Sequence, residues 1–260
     1  MARFKNFASD DALKKWVSES IEECKSSYPC QMTNARLGVA VDIGANVGGF
    51  CIHAFNHYDK VYAFEPLVEN CIIAQRAVAQ AGATNVEIYN MAVHSKSGET
   101  LMLRASPDSF SGDITCLNTA GPEFTESIQE CQTISLEDII KTLELDMIHF
   151  LKVDCEGSEY EIFKDFKDYN KILLICLELH NYVPQQTKRE LLQTLSEHFY
   201  VSPLFHGALN FDELAANARQ HSVDKLMSVH NIIGVSKVGR KFFEQPEVNF
   251  NTGWPPAEGK

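Results

Sequence analysis

The sequence predicts an α/β fold built on a doubly wound, mostly parallel sheet. Three observations predict it. Short apolar runs of strand length recur along the chain and stop at Gly, Glu or Asp. Segments with helical spacing of apolar residues separate them. A glycine-rich turn follows the first run. With 260 residues, 45% of them hydrophobic and 22% charged, the chain can fill one sizeable core.

The elements follow in order. Residues 9–27 read as an amphipathic helix capped by Ser9 or Asp10, with Leu13, Trp16, Val17 and Ile21 at helical spacing. Residues 39–43 form a short apolar run that stops at Gly44, as a buried parallel strand does. Residues 47–57 read as a helix, 61–64 as a second strand, 67–81 as a helix closed by Gly82, and 86–89 as a third strand. Close alternation of this kind is the sequence form of a right-handed half-sheet. Residues 94–133 break the rhythm. A turn at 95–98 leads to Leu101 and Leu103, which can continue a strand, and 105–125 read as an irregular insertion or small hairpin beside the cleft. Ser135 caps a helix through Leu143. A fourth strand covers 148–153, and a helix runs from Ser158 through Phe166. The most apolar strand covers 172–177, a helix follows Pro184 to about His198, and strands at 199–201 and 231–235 complete a set of seven. Residues 206–228 are polar and irregular.

No repeat or linker divides the chain. The expectation is one domain: residues 1–37 a helical cap, 38–180 a cofactor-binding core, 181–243 the rest of the sheet and a lid, and 244–260 a proline-containing tail.

Net charge is −12, without a Lys/Arg cluster to reverse it locally, which argues against nucleic acid as a partner. No stretch approaches the ~18–20 apolar residues of a membrane span, and residues 1–30 hold no signal-peptide run. The eight cysteines form no Cys-x-x-Cys pair and sit mostly in apolar runs, which suits free thiols in a reducing compartment rather than a zinc ribbon. A cytoplasmic protein is expected. A homodimer is compatible with the composition, which sets no oligomeric state.

Five segments carry chemistry. The first is Asp42-x-Gly44-Ala45-Asn46-x-Gly48-Gly49, between a strand and a helix. In open α/β sheets, ligands bind at that edge of the sheet. Asn46 stands where a dinucleotide loop has its middle glycine, so close approach to a pyrophosphate is not promised. Asp42 can accept from an α-ammonium, and a ligand with carboxylate and ammonium, such as the methionine part of S-adenosylmethionine, suits the loop better. The second is Glu65-Pro66, with Glu65 at 21 positions after Gly44, near the ~20-residue offset of an acid that binds ribose hydroxyls. The third, Asn90-Met91-Ala92-Val93, can wall an adenine ring or simply pack the core. The fourth, Lys152-Val153-Asp154-Cys155-Glu156-Gly157-Ser158-Glu159, places three acids just after a strand, where Asp154 and Glu156 can bind a substrate hydroxyl, act as base, or hold Mg²⁺. The fifth is Glu178-Leu179-His180 at the next strand end, where His180 has the proton affinity of a base at neutral pH.

Five ordered motifs, VDIGANVGGF, VYAFEPLVENC, NMAVHSKSGE, TISLEDII and LKVDCEGSEYEIF, resemble the FkbM family of methyltransferases, over roughly residues 38–180. The resemblance implies a Rossmann-like class I methyltransferase sheet with an antiparallel last strand, here 231–235. It implies methyl transfer from S-adenosylmethionine, leaving S-adenosylhomocysteine, most often to a hydroxyl oxygen of a sugar, polyketide or other small metabolite. Carried over by motif, Asp42, Gly44, Asn46 and Gly48 contact the methionine end, Glu65 the ribose, and Asn90 to Val93 lie near the adenine. Asp154 and Glu156 face the reacting centre. The bases expected for acceptor activation are His180 and Asp154, with Mg²⁺ on Asp154 and Glu156 as the other route. A nicotinamide-dependent oxidoreductase and a non-catalytic nucleoside-binding module are the alternative readings of the same half-sheet. The segment 104–130 and the region after Tyr182 match the family less well, so the acceptor does not transfer with the resemblance.

Overall fold

The computed structural model describes residues 10–29, 37–105, 114–116, 125–204 and 219–238. Its elements are α1 (Asp10–Ser27), β1 (Leu37–Ile43), α2 (Gly49–Ala54), β2 (Tyr58–Phe64), α3 (Val68–Gln80), β3 (Val86–Tyr89), β4 (Ala92–His94), β5 (Thr100–Ala105), β6 (Ile114–Thr115) and β7 (Glu126–Ser135). There follow α4 (Leu136–Thr142), β8 (Ile148–Val153), α5 (Glu159–Ile162), β9 (Ile172–Glu178), α6 (Gln185–His198), β10 (Phe199–Pro203), α7 (Val223–Leu226) and β11 (Asn231–Ser236). The expected tail, 244–260, lies outside the described residues, as does most of 105–125.

Seven strands form the main sheet in the order β10-β11-β9-β8-β1-β2-β3. The pairs β1–β2, β2–β3, β1–β8 and β8–β9 are parallel, and β11 runs antiparallel to both β9 and β10. The sheet is Rossmann-like, mostly parallel with helices on both faces. The strand interiors alternate between two cores. Val41, Ile43, Leu151, Val153, Ile175 and Leu177 pack on one face with α4 and α6 (Leu136, Ile139, Leu192, Leu195). Ala40, Val61, Ala63, Phe150, Leu174 and Cys176 pack on the other with α1 and α2 (Cys24, Phe50, Cys51, Ala54). Period-2 alternation on strands apolar on both faces is what a sheet covered on both sides requires. Each fully buried Leu, Ile or Phe contributes about 1.5–3 kcal/mol of transfer free energy.

The chain leaves β1 toward β2 and β3, then returns to lay β8 and β9 on the other side of β1. The strand order therefore reverses between β1 and β8, and their carboxyl ends lie side by side, with Ile43 opposite Val153. The amide of Asp154 donates to the carbonyl of Ile43 at 3.0 Å. Ligand sites of open α/β sheets form at such a reversal.

Three features differ from expectation. The described residues of the 94–133 region form a second sheet in the order β4-β7-β5-β6, which holds the strand expected at Leu101 and Leu103 and adds β7, ten residues long. The sequence hid β7 because its polar residues alternate with few apolar ones, and its main partner β5 pairs through non-local antiparallel contacts. The helix expected through Phe166 stops at Ile162, where Phe163, Phe166 and Tyr169 turn to pack on one another. A short helix, α7, appears in the region read as irregular. The cap of α4 is as expected, the Ser135 hydroxyl accepting from the Asp138 amide at 3.1 Å.

Candidate active site

The carboxyl end of β1 opens on Gly44, at φ +80, and a Cβ there would lie 1.7 Å from the carbonyl oxygen of Asp154. Only glycine lets the β1 loop and the β8 end come this close. Asn46 follows in the left-handed region at φ 49, a conformation that Asn tolerates. Its side-chain oxygen accepts from Asn70 Nδ2 at 3.2 Å.

The left-handed turn at Asn46 serves Glu65. The amide of Asn46 donates to Glu65 Oε2 at 2.8 Å, and the amide of Leu67 donates to Oε1 at 2.9 Å. Burial pushes the Glu65 carboxyl up to about 7, and the two backbone donors resist that shift. Each oxygen keeps a further lone pair, so the pinned carboxylate can still accept from a diol. Asn90 stands behind it, its Nδ2 donating at 2.9 Å to the carbonyls of both Glu65 and Pro66.

A cavity of about 370 Å³ lies over these groups, a volume in the range of small-ligand sites. Gly44, Ala45, Asn46, Glu65 and Pro66 line it on one side. Phe64, Ala92, Val93 and Leu103 supply apolar surface, the last from the second sheet, and Asp154, Glu156 and Glu178 line the far side. The structure thus brings most of the expected residues to one cavity. Asp42, Gly48, Asn90 and His180 are not among its lining.

Asp42 is placed differently from expectation. It pairs in register with Lys152 across β1 and β8. Its side chain is 0% exposed, and its Oδ1 accepts from Lys152 Nζ at 3.1 Å. Cys51 Sγ donates to its Oδ2 at 3.5 Å. Lys152 Nζ also donates to the Gly44 carbonyl at 3.0 Å. Burial opposes the Lys152 ammonium, but the charges of Asp42 and Asp154 outweigh it and hold the group charged well above its usual range. Asp42 therefore anchors the loop through Lys152 instead of turning to the cavity. Lys152 was legible as an unexplained charge inside an apolar strand, which requires a buried partner.

His180 also differs. Its Nδ1 faces Glu159 Oε1 at 2.9 Å and its Nε2 faces Glu156 Oε2 at 3.3 Å. Burial works against its charged form, but the Glu159 hydrogen bond and the charges of Glu159, Glu156 and Asp154 prevail and push it up to about 10. A ring already protonated at neutral pH has no lone pair to take a proton, so this geometry does not suit the expected base. The imidazolium instead ties the β8 loop to the β9 end. Tyr182 stacks on it and donates to the same Glu156 oxygen at 3.3 Å, and Tyr160 donates to the His180 carbonyl at 2.8 Å. One donor atom from each of Asp154, Glu156 and His180 lies within 4.8 Å of the others, a spacing that could hold a cation only with the His180 ring neutral. Glu178, not His180, is the β9-end residue at the cavity, and its carboxyl is raised by burial and by the charge of Asp154.

Helix α1 closes the cavity. Ser20 sits against Gly49 so tightly that a Cβ there would meet its Oγ at 2.2 Å. Cys24, Ser27 and Tyr28 line the cavity from this side. The sequence has this helix pack on the sheet or cover the cofactor cleft, and Ser20, Glu23 and Cys24 of α1 line the cavity. Among the described residues, no helix is long and apolar enough to cross a membrane.

A family model described as the methyltransferase FkbM domain matches residues 42–202. No curated protein matches the chain. Among solved structures, the chain is similar to the methyltransferase FkbM of Methylobacillus flagellatus KT at 12% identity and a TM-score of 0.45, covering 88% of this chain and 55% of that one. It is also similar to the precorrin-6y C5,15-methyltransferase of Geobacter metallireducens GS-15, at 12% identity and a TM-score of 0.41 over 89% of this chain and 95% of that one. A third is TrmK of M. capricolum in complex with S-adenosylhomocysteine, at 12% identity and a TM-score of 0.38 over 85% of this chain and 66% of that one. Likenesses at these scores decide nothing about the acceptor. The family match spans the glycine loop, Glu65 and the acidic end of β8, and on it the chain belongs to the FkbM family of S-adenosylmethionine-dependent methyltransferases.

Proposed function

We propose that this chain methylates a hydroxyl oxygen of a small molecule, such as a sugar, a polyketide or another metabolite. The observation that carries the reading is the single cavity shared by the Gly44–Glu65 wall and the Asp154–Glu178 wall. The net charge of −12 supports a small acceptor over a phosphate backbone. Residues 38–180 are read as the cofactor-binding core and 181–243 as the part that completes the sheet.

The residues present fit S-adenosylmethionine. Glu65, pinned by two amides, would accept the ribose hydroxyls, and Phe64, Ala92 and Val93 offer apolar surface to an adenine ring. When bound, the cofactor supplies an electrophilic methyl group on a sulfonium. The cavity would hold the acceptor hydroxyl in line behind that methyl. Asp154, which lines the cavity, would take the proton that the acceptor hydroxyl gives up. His180 serves by fixing Glu156 and Glu159 around that group. Mg²⁺, held by Asp154 and Glu156, would be the other way to activate the hydroxyl.

The test is incubation with labelled S-adenosylmethionine and a panel of sugars, polyketides and peptides, with products followed by mass and run with and without chelator. O-methylated products are expected. Full activity in chelator removes the metal route, and products methylated only on nitrogen or carbon overturn the assignment to oxygen.

A further inference from the structure

We propose that Tyr28 is a positioning residue for Asp154: its hydroxyl keeps the carboxylate at the reacting centre instead of letting it close onto Lys152. The inference rests on the reading of Asp154 as the group that faces that centre. Tyr28 precedes the matched domain, which begins at residue 42.

The geometry is specific. The Tyr28 hydroxyl donates to Asp154 Oδ2 at 3.3 Å, and Lys152 Nζ lies 3.6 Å from the same oxygen. Lys152 is already engaged with Asp42 Oδ1 and the Gly44 carbonyl, which leaves one of its three N–H groups for Asp154. A charge-assisted pair that closes fully draws in to about 2.7–2.9 Å. Tyr28 is the competing donor at that oxygen. Both donors meet Oδ2, and Asp154 keeps 29% of its side chain exposed at the cavity.

The ring itself is immobilised, so the hydroxyl is aimed. It is 8% exposed and packs edge-on against Phe50, with centroids 5.6 Å apart at 88°. Lys152 Nζ stands 5.5 Å from its centroid. Its backbone is held as well: the amide donates to the Cys24 carbonyl at 2.9 Å, and its carbonyl faces His53 Nε2 at 3.2 Å. Burial first, and the charge of Asp154 next, keep the phenol protonated well above its ordinary range, so it remains a donor.

The experiment needs no acceptor. Calorimetry compares two probes: S-adenosylhomocysteine, neutral at sulfur, and sinefungin, in which a carbon bearing an amine replaces the methyl sulfonium. A carboxylate facing the reacting centre favours the amine, and the wild type is expected to prefer sinefungin by about tenfold. Tyr28→Phe keeps the ring and its packing. It is expected to hold S-adenosylhomocysteine affinity within about twofold while the preference falls about fivefold. Asp154→Asn is expected to abolish the preference, and adding Tyr28→Phe to it is expected to change nothing further. A Tyr28→Phe variant that keeps the full preference while Asp154→Asn loses it overturns the proposal. So does one that weakens both probes equally or melts well below the wild type, since Tyr28 would then be packing alone. A wild type without preference, or an Asp154→Asn variant that retains it, refutes the placement of Asp154 itself, and the role of Tyr28 with it.

Discussion

Glu65→Gln separates a ribose-binding carboxylate from a merely structural one. In the wild type each carboxylate oxygen accepts one backbone amide, from Leu67 at 2.9 Å and Asn46 at 2.8 Å, and each has capacity for one more donor. A ribose diol would fill both places. Hydrogen bonds to a charged group contribute about 1.5–3 kcal/mol each. The amide keeps one acceptor oxygen without charge and turns an N–H₂ toward either the Asn46 or the Leu67 amide, donor against donor. One ribose bond is lost and the other weakened, about 3 kcal/mol in all, or about a hundredfold in Kd. The pH dependence gives a second signature. Burial pushes Glu65 up to about 7, so its charged, accepting form declines as pH falls through that value. Calorimetric titration with S-adenosylhomocysteine is therefore expected to show Kd about tenfold weaker at pH 6 than at pH 8 in the wild type, and no such step in Glu65→Gln. His180 does not interfere, because it stays charged until about pH 10. A Glu65→Gln variant within about threefold of the wild type would refute the ribose assignment.

Two further predictions concern stability. His180→Asn removes the imidazolium from Glu159, whose side chain is 0% exposed, and urea unfolding is expected to show a loss of about 3–5 kcal/mol near neutral pH. Its folded pKa, about 10, lies above the unfolded value of about 6.5, so the contribution is complete below about 6.5 and vanishes as pH rises through about 10. Wild-type stability should thus fall across that window, and the variant's curve should be flatter; parallel curves would remove His180 from this role. Lys152→Met leaves the Asp42 carboxylate buried without its cation and is expected to cost about 3–5 kcal/mol, with Asp42→Asn in the same chain restoring much of it. A Lys152→Met urea midpoint equal to the wild type's would show that the pair does not anchor the loop.

The sequence by itself determined the main sheet and the cofactor end of the site. The apolar runs at 39–43, 61–64, 86–89, 148–153 and 172–177 fall inside observed strands, and Gly44, Asn46 and Glu65 meet at one cavity wall. Strand period, glycine punctuation and the Gly44-to-Glu65 offset are local signals, carried by residues a few positions apart or by one strand–helix–strand unit. What only the tertiary structure decided is which charge faces which. Asp42 and His180, read as cofactor and base residues, are committed to Lys152 and to the Glu156–Glu159 pair. Strand β7 was hidden because its pairing with β5 is non-local and its faces are mostly polar. Asp42 and Lys152 become partners because the strand order reverses between β1 and β8, and Tyr28 meets Asp154 because α1 folds back over that same reversal. A buried ion takes whichever counter-ion the strand order brings within about 4 Å, and a linear pattern contains no such distance.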